Sequence, residues 1–271
     1  MSSRFPENVR LACVLALLAC FSRVEARDLV VCADPDNLPF SRQDGSGFEN
    51  RIAAVVAQDL RARLVYHWLP LRRGVVRKTL DARLCDVLMG VPADPTGVAT
   101  TIPYYRSSYA IVTRTTWGAP VASLDDRRLR ASRIGVPLIG ADGAIVPPAS
   151  ALVRGGNIDN VQGFPVYGAL PVAQRLVDAL AADKLDIAVG WGPAVAYYAR
   201  RAKVPVDIAL VPGETSAPAS FAIAIAVRAD AGALRDDLNG ALDRTRPRID
   251  AVLAAYSVPL LPLHRPTGAQ Q

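Results

Sequence analysis

Apolar positions along this chain switch between strand-like runs and helical spacing. Residues 29–31 form a short apolar run, the polar stretch Asn37-Leu38-Pro39-Phe40 follows, and Pro35 and Pro39 bar a helix there. After the flexible Gly45-Ser46-Gly47 bend, Phe48, Ile52, Val55, Val56 and Leu60 recur with the spacing of one helix face. The alternation continues with a strand over 64–68, a helix over 72–82 and a strand over 86–90. It predicts a βαβαβ unit with a parallel sheet and right-handed crossovers.

The pattern breaks at Pro92, Pro95 and Gly97 and resumes with a strand over 109–113. A second α/β set begins near Leu124, with strands over 133–136, 161–166, 185–189 and 206–211 and helices near 149–153, over 171–182 and over 193–202. Pro171 suits a helix start, and Val172, Leu176, Val177 and Leu180 share one face. A buried strand over 221–227 follows, then two closing helices marked by Leu234, Leu238 and Leu242 and by Ile249, Val252 and Leu253. These elements predict an α/β fold of two lobes joined by two crossing strands, 109–113 and 221–227. Lobe I is expected over 27–110 with 221–271, and lobe II over 111–220.

The first 26 residues read as a signal peptide. Arg4 and Arg10 give a basic start, 11–21 an apolar stretch short for a bilayer, and Val24-Glu25-Ala26 a cleavage site. The mature chain is expected to begin at Arg27 in the periplasm; a rival reading makes Leu17-Leu18-Ala19-Cys20 a lipobox with Cys20 lipidated. Later apolar runs are of strand length, so no transmembrane segment is expected.

The full sequence of 271 residues leaves ample chain for a large core after the leader. Its net charge of +6 is mild and its arginines are scattered. With no nucleic-acid motif, this argues for a basic surface that suits an acidic protein partner, not for nucleic-acid binding. Outside the leader only Cys32 and Cys85 remain. In an oxidising compartment, on strands that can be neighbours, they read as one disulfide, with two buried thiols the alternative. His67 and His264, the only histidines, are not at ligand spacing from them, so no metal is expected. No cofactor is expected either.

The order of strand, Asn37-Leu38-Pro39-Phe40, Gly47-Phe48-Glu49, helix, Asp86-Val87-Leu88-Met89-Gly90, Pro103-Tyr104-Tyr105 and 221–228 resembles the periplasmic solute-binding proteins of the polar amino acid type. A narrower set adds Cys32-Ala33-Asp34-Pro35, Arg72-Arg73-Gly74, Cys85-Asp86, Met89-Gly90-Val91-Pro92, Tyr104-Tyr105-Arg106-Ser107 and Trp191-Gly192-Pro193. It resembles the J-type periplasmic proteins associated with pyrroloquinoline quinone-dependent methanol and alcohol dehydrogenases. The resemblance spans nearly the whole mature chain and implies a type II, two-lobed periplasmic binding protein-like fold.

Amino acid binders of this fold clamp the ligand carboxylate with an Arg after the third strand and its ammonium with an Asp in the second lobe. Here those regions read Val91-Pro92-Ala93-Asp94-Pro95-Thr96-Gly97, without Arg, and Val189-Gly190-Trp191-Gly192-Pro193, without an acid. Arg73 or Arg106 is left to act as a different anion clamp. Asp34 and Asn37 follow the first strand, at the edge where open α/β sheets bind ligands. Asp36 reads as a turn former. Phe40, Tyr104, Tyr105 and Trp191 are expected to line an aromatic cleft, whereas Trp68 and Tyr197 read as core.

Catalytic signals are weak: neither histidine is placed to serve a Ser/His/Asp triad, and no zinc-protease or phosphate-loop spacing occurs. Asp125 and Asp126 read as the start of a helix near Leu124. The expected function is a non-enzymatic accessory to a quinoprotein methanol or alcohol dehydrogenase, aiding its maturation or activation by holding a segment of the dehydrogenase or its cytochrome c between the lobes. A solute-binding protein for a small ligand that is not an amino acid is the principal alternative, and a dehydratase-like enzyme on the same fold a third.

Overall fold

The computed structural model describes residues 27–70, 74–93, 95, 97–139, 144–156, 158–212 and 218–263. The leader, Cys20 and Arg73 lie outside the described residues.

The first lobe opens with β1 (Asp28–Ala33), the small hairpin β2 (Asp36–Asn37) and β3 (Ser41–Arg42), and helix α1 (Phe48–Asp59). It continues with β4 (Arg63–Trp68), the single turn α2 (Val75–Lys78), β5 (Val87–Pro92) and β6 (Ala99–Thr100). β1 lies between β4 and β5 and runs parallel to both, pairing Val31 with Tyr66 and with Val87. Phe48, Ile52 and Val56 of α1 are buried in the main core of this lobe, where helical spacing places them on one face.

β7 (Tyr105–Arg114) belongs to both lobes. Its residues 105–108 pair with β13 (Ser220–Val227), and 109–114 pair with the second-lobe strands β11 (Ile187–Trp191) and β12 (Val206–Leu210). The rest of lobe II comprises β8 (Ile134–Ile139), β9 (Ala144–Ile145), α3 (Pro147–Arg154), β10 (Val161–Pro165), α4 (Val172–Ala181) and α5 (Gly192–Ala199). β8 lies between β10 and β11, parallel to both. Helices α6 (Gly232–Arg244) and α7 (Arg246–Ala255) return to lobe I, where Leu238, Leu242, Ile249 and Leu253 are buried in the same core as Phe48. The cores of lobe II instead gather residues between Ala110 and Ala219.

Two expectations need correction. The helix expected over 72–82 is confined, among the described residues, to the one turn of α2. Gly74 before it is left-handed with φ of 75°, Thr79 turns its hydroxyl back to the Val75 carbonyl at 2.7 Å, and Arg83 also has a positive φ. A hydroxyl that bonds the preceding turn competes with helix propagation. The strand expected from 109 begins at Tyr105, which moves Tyr105 and Arg106 into the sheet opposite Ile223 and Ala222.

Cys32 and Cys85 form a disulfide with Cα atoms 5.6 Å apart, tying the end of β1 to the approach to β5. Asp126 caps a short 3-10 helix (Arg127–Ala131) by accepting the Arg128 N–H.

Candidate inter-lobe cleft

The lobe I lip is the segment that leaves the C-terminal end of β1. Asp34 Oδ1 accepts the Asp36 N–H at 3.0 Å, the Ser41 hydroxyl donates to the Asp34 carbonyl at 2.8 Å, and the Phe40 N–H donates to the Asn37 carbonyl at 2.9 Å. The lip is welded to α1. Phe48 and Glu49 donate their N–H groups to the carbonyls of Pro39 and Phe40, while Asn50 Oδ1 accepts from Arg42 and Gly47. Helix N-terminal donors that have no intrahelical partner are thereby satisfied. A Cβ on Gly47 would lie 2.1 Å from the Phe40 carbonyl oxygen, so this junction accepts only glycine without moving backbone. Across the gap, Tyr198 of α5 donates to the Leu38 carbonyl at 3.2 Å.

The lobe II wall comes from the ends of β8, β10 and β11 and the starts of α4 and α5. Arg175 of α4 holds the 165–170 loop at both ends, donating to the carbonyls of Pro165 and Leu170. Between the lobes lies a cleft of about 550 Å³, within the usual range for ligand sites. Tyr167 and Leu170 stand exposed at its rim, at 43% and 47%.

Of the residues singled out from the sequence, Asp34, Asn37, Phe40 and Trp191 line this cleft together. Tyr104 and Tyr105 do not: they are 0% and 2% exposed, inside the lobe I core. Arg106 also lies away, in a small groove with Arg246 and Leu261, and donates to the Ser220 hydroxyl at 2.9 Å. The early start of β7 draws Tyr105 and Arg106 into the sheet, and Tyr104 just before it is buried in the core. The sequence reading missed Tyr109, Tyr167, Leu170 and Val172, all of which line the cleft. The signal was available for the 166–171 loop, which follows the C-terminal end of β10 just as 34–40 follows β1.

Trp191 stands where the cleft meets the crossing strands. Its ring is 5.5 Å from Tyr109 on β7 and 5.9 Å from Phe221 on β13. The next residue, Gly192, is tightly seated, since a Cβ there would lie 2.4 Å from the Ser108 carbonyl oxygen.

Burial pushes the Tyr109 hydroxyl up to about 12, and burial above all does the same at Tyr198, so both remain neutral donors near pH 7. Glu49 behaves differently and lies outside the cleft. Its carboxyl is buried beneath β5, accepts the Tyr104 hydroxyl at 3.1 Å, and is raised by desolvation to about 7. Tyr104 in turn accepts the Gly90 N–H at 3.0 Å. Among the described residues no group of three His, Cys, Asp or Glu side chains could hold a metal, and no helix is long and apolar enough to cross a membrane. The described lining offers aromatic faces, aliphatic surface, two carboxylates and an amide. That chemistry suits binding.

No protein-family model matches the chain. It is 33% identical over 261 residues to Protein MoxJ of Methylorubrum extorquens, covering 89% of this chain and 84% of that protein. The crystal structure of the periplasmic binding protein XoxJ from Methylobacterium extorquens AM1 superposes with a TM-score of 0.73 at 34% identity, covering 87% of this chain and 100% of that one. The crystal structure of MxaJ from Methlophaga aminisulfidivorans MPT gives 0.74 at 28% identity, covering 86% and 100%.

Proposed function

Because the chain belongs to the MoxJ family of periplasmic binding proteins, we propose that it serves a quinoprotein methanol or alcohol dehydrogenase, holding a segment of the immature enzyme in its inter-lobe cleft. The observation that carries this reading is the lining. A zwitterion needs a bidentate arginine and an acid on facing lobes. Among the described lining residues the carboxylates, Asp34 and Asp36, both sit on one lip, and the facing lobe offers no acid. The opposite wall is aliphatic and aromatic out to the exposed Tyr167 and Leu170. Large aromatic anchors in a desolvated pocket dominate protein interfaces.

Titration of the cognate dehydrogenase onto the purified protein tests it. Trp191→Ala or Leu170→Ala should weaken association by about 1 to 2 kcal/mol or more, whereas Arg106→Ala and reversal of Asp125 and Asp126, all outside the cleft lining, should change it little. Equal affinity of both cleft variants and the wild type would move the docking surface elsewhere, and no binding by the wild type would end the accessory reading. The cleft volume of about 550 Å³ keeps a small solute as the second reading. A saturable rise in melting temperature with a small metabolite, without dehydrogenase binding, would favour it.

A further inference from the structure

The lobes are joined at one place and touch again at another. β7 changes partners between Ser108 and Tyr109, pairing with β13 up to Ser108 and with β11 from Tyr109 onward. A third pass of chain runs beside it: the Ser107 hydroxyl donates to the Pro259 carbonyl at 2.6 Å, and the Leu261 N–H to the Arg106 carbonyl at 2.8 Å. Helix α5 starts on this joint, where a Cβ on Gly192 would lie 2.4 Å from the Ser108 carbonyl oxygen and 3.2 Å from the Pro259 ring. It meets lobe I again through two neighbouring tyrosines. Tyr198 donates to the Leu38 carbonyl of the lip at 3.2 Å, and the Tyr197 ring stacks on Tyr256 with centroids 6.2 Å apart and an interplanar angle of 18°. Tyr256 is itself held in lobe I, donating to the Ser46 carbonyl, accepting from Arg51 Nε at 3.0 Å and meeting the Phe48 ring at 5.9 Å. On the other side, the Arg201 guanidinium lies 3.6 Å from the Tyr197 ring centroid.

We propose that Tyr197 and Tyr198 form a latch that fixes the angle between the lobes, and that the cleft widens when the latch lets go. The inference holds whatever fills the cleft. Tyr198 stands about 9 Å along α5 from Gly192 at the rise of an α-helix. A swing of about 20° about the joint therefore carries it up to about 3 Å, enough to break its hydrogen bond and part the ring pair. The contacts are weak enough to open reversibly: one neutral hydrogen bond and one ring pair together bias a two-state equilibrium about 5- to 100-fold. The folding of lobe II does not rest on them, because Val195 and Ala199 supply the fully buried face of α5.

Spin labels on cysteines introduced at Ala54 of α1 and Asp178 of α4, both exposed and one on each lobe, read the distance between the lobes of the full protein by double electron–electron resonance. The labelled protein with both tyrosines should show one narrow distance. Tyr197→Ala with Tyr198→Phe should raise the ratio of displaced to latched molecules about 5- to 100-fold and so add a second distance, with the circular dichroism spectrum unchanged. An unchanged distance distribution in the folded double variant, or a broad one before any latch residue is altered, overturns the proposal. Should the double variant fail to fold, Tyr198→Phe alone decides, since it keeps the ring that packs on lobe II and removes only the bond to Leu38. A second distance then supports the latch, and the original distribution overturns it.

Discussion

Replacing Glu49 by Gln should change how stability depends on pH more than it changes the structure. Glu49 is 7% exposed, hydrogen-bonded to Tyr104, and raised by desolvation from 4.5 to about 7. The folded state therefore holds this proton more tightly than the unfolded chain does. Below pH 4.5 both states are protonated and the site imposes no cost. As pH climbs toward 7 the unfolded carboxyl ionises freely, the buried one resists, and stability falls before levelling off. A displacement from 4.5 to about 7 is worth roughly 3 kcal/mol, a large share of the ~5–15 kcal/mol by which domains are stable. Gln keeps an oxygen for the Tyr104 hydroxyl and carries no titrating proton. Urea denaturation of wild type and Glu49→Gln from pH 5 to 8 should give curves that diverge, with the variant gaining about 2 to 3 kcal/mol on the wild type across the range. The comparison removes every other titrating group. Parallel curves would mean that the carboxyl is hydrated or otherwise compensated, and the desolvation argument would fail.

The Cys32–Cys85 bond closes a separation of 53 residues, for which loop entropy allows up to about 4 kcal/mol. The Cys32→Ser/Cys85→Ser protein should lose about 2 to 4 kcal/mol in denaturant, and thiol titration of the unfolded, unreduced wild type should find no free thiol from this pair. Gly47→Ala should cost more than about 3 kcal/mol or displace the lip, because its Cβ would meet backbone at 2.1 Å. Gly45→Ala, at φ of 78° but with open space around it, should cost only about 1 kcal/mol; equal melting temperatures for the two variants would contradict this account of the lip. Arg175→Ala should free the 165–170 loop and weaken dehydrogenase binding more than it lowers the melting temperature, the reverse ranking indicating a mainly structural role.

Periodicity served well where one face of an element is buried and the other is wet. Phe48, Ile52 and Val56 announced α1, and Leu176 and Leu180 announced α4, because burial on one side leaves that spacing in the sequence. It failed where local backbone bonds decide. Nothing in the spacing of 72–82 reveals that Gly74 is left-handed or that the Thr79 hydroxyl bonds backward. The lobe I lip was legible because polar residues following a strand mark a sheet mouth, which brought Asp34, Asn37 and Phe40 to notice. The facing wall was less so, since Leu170 and Val172 look like ordinary loop and helix residues until the lobes are brought together. Tyr104, Tyr105 and Arg106 were assigned to the cleft by their chemical types. A strand beginning four residues earlier than expected sends Tyr105 into the core and Arg106 to another groove, and Tyr104 just before it is buried too.

The place of β13 has a consequence for how the molecule comes together. In the sheet it lies between β5 and β7, although it follows every strand of the second lobe in the chain. The first strands made, β1, β4 and β5, must wait for an edge that arrives only with Ser220–Val227 and for the helices α6 and α7 that complete their core. Residues between Ala110 and Ala219 already contain the two cores of the second lobe. A chain emerging N-terminus first therefore has its inserted half ready before its outer half. The long-range closure that joins chain beginning to chain end carries the largest entropic cost and comes last.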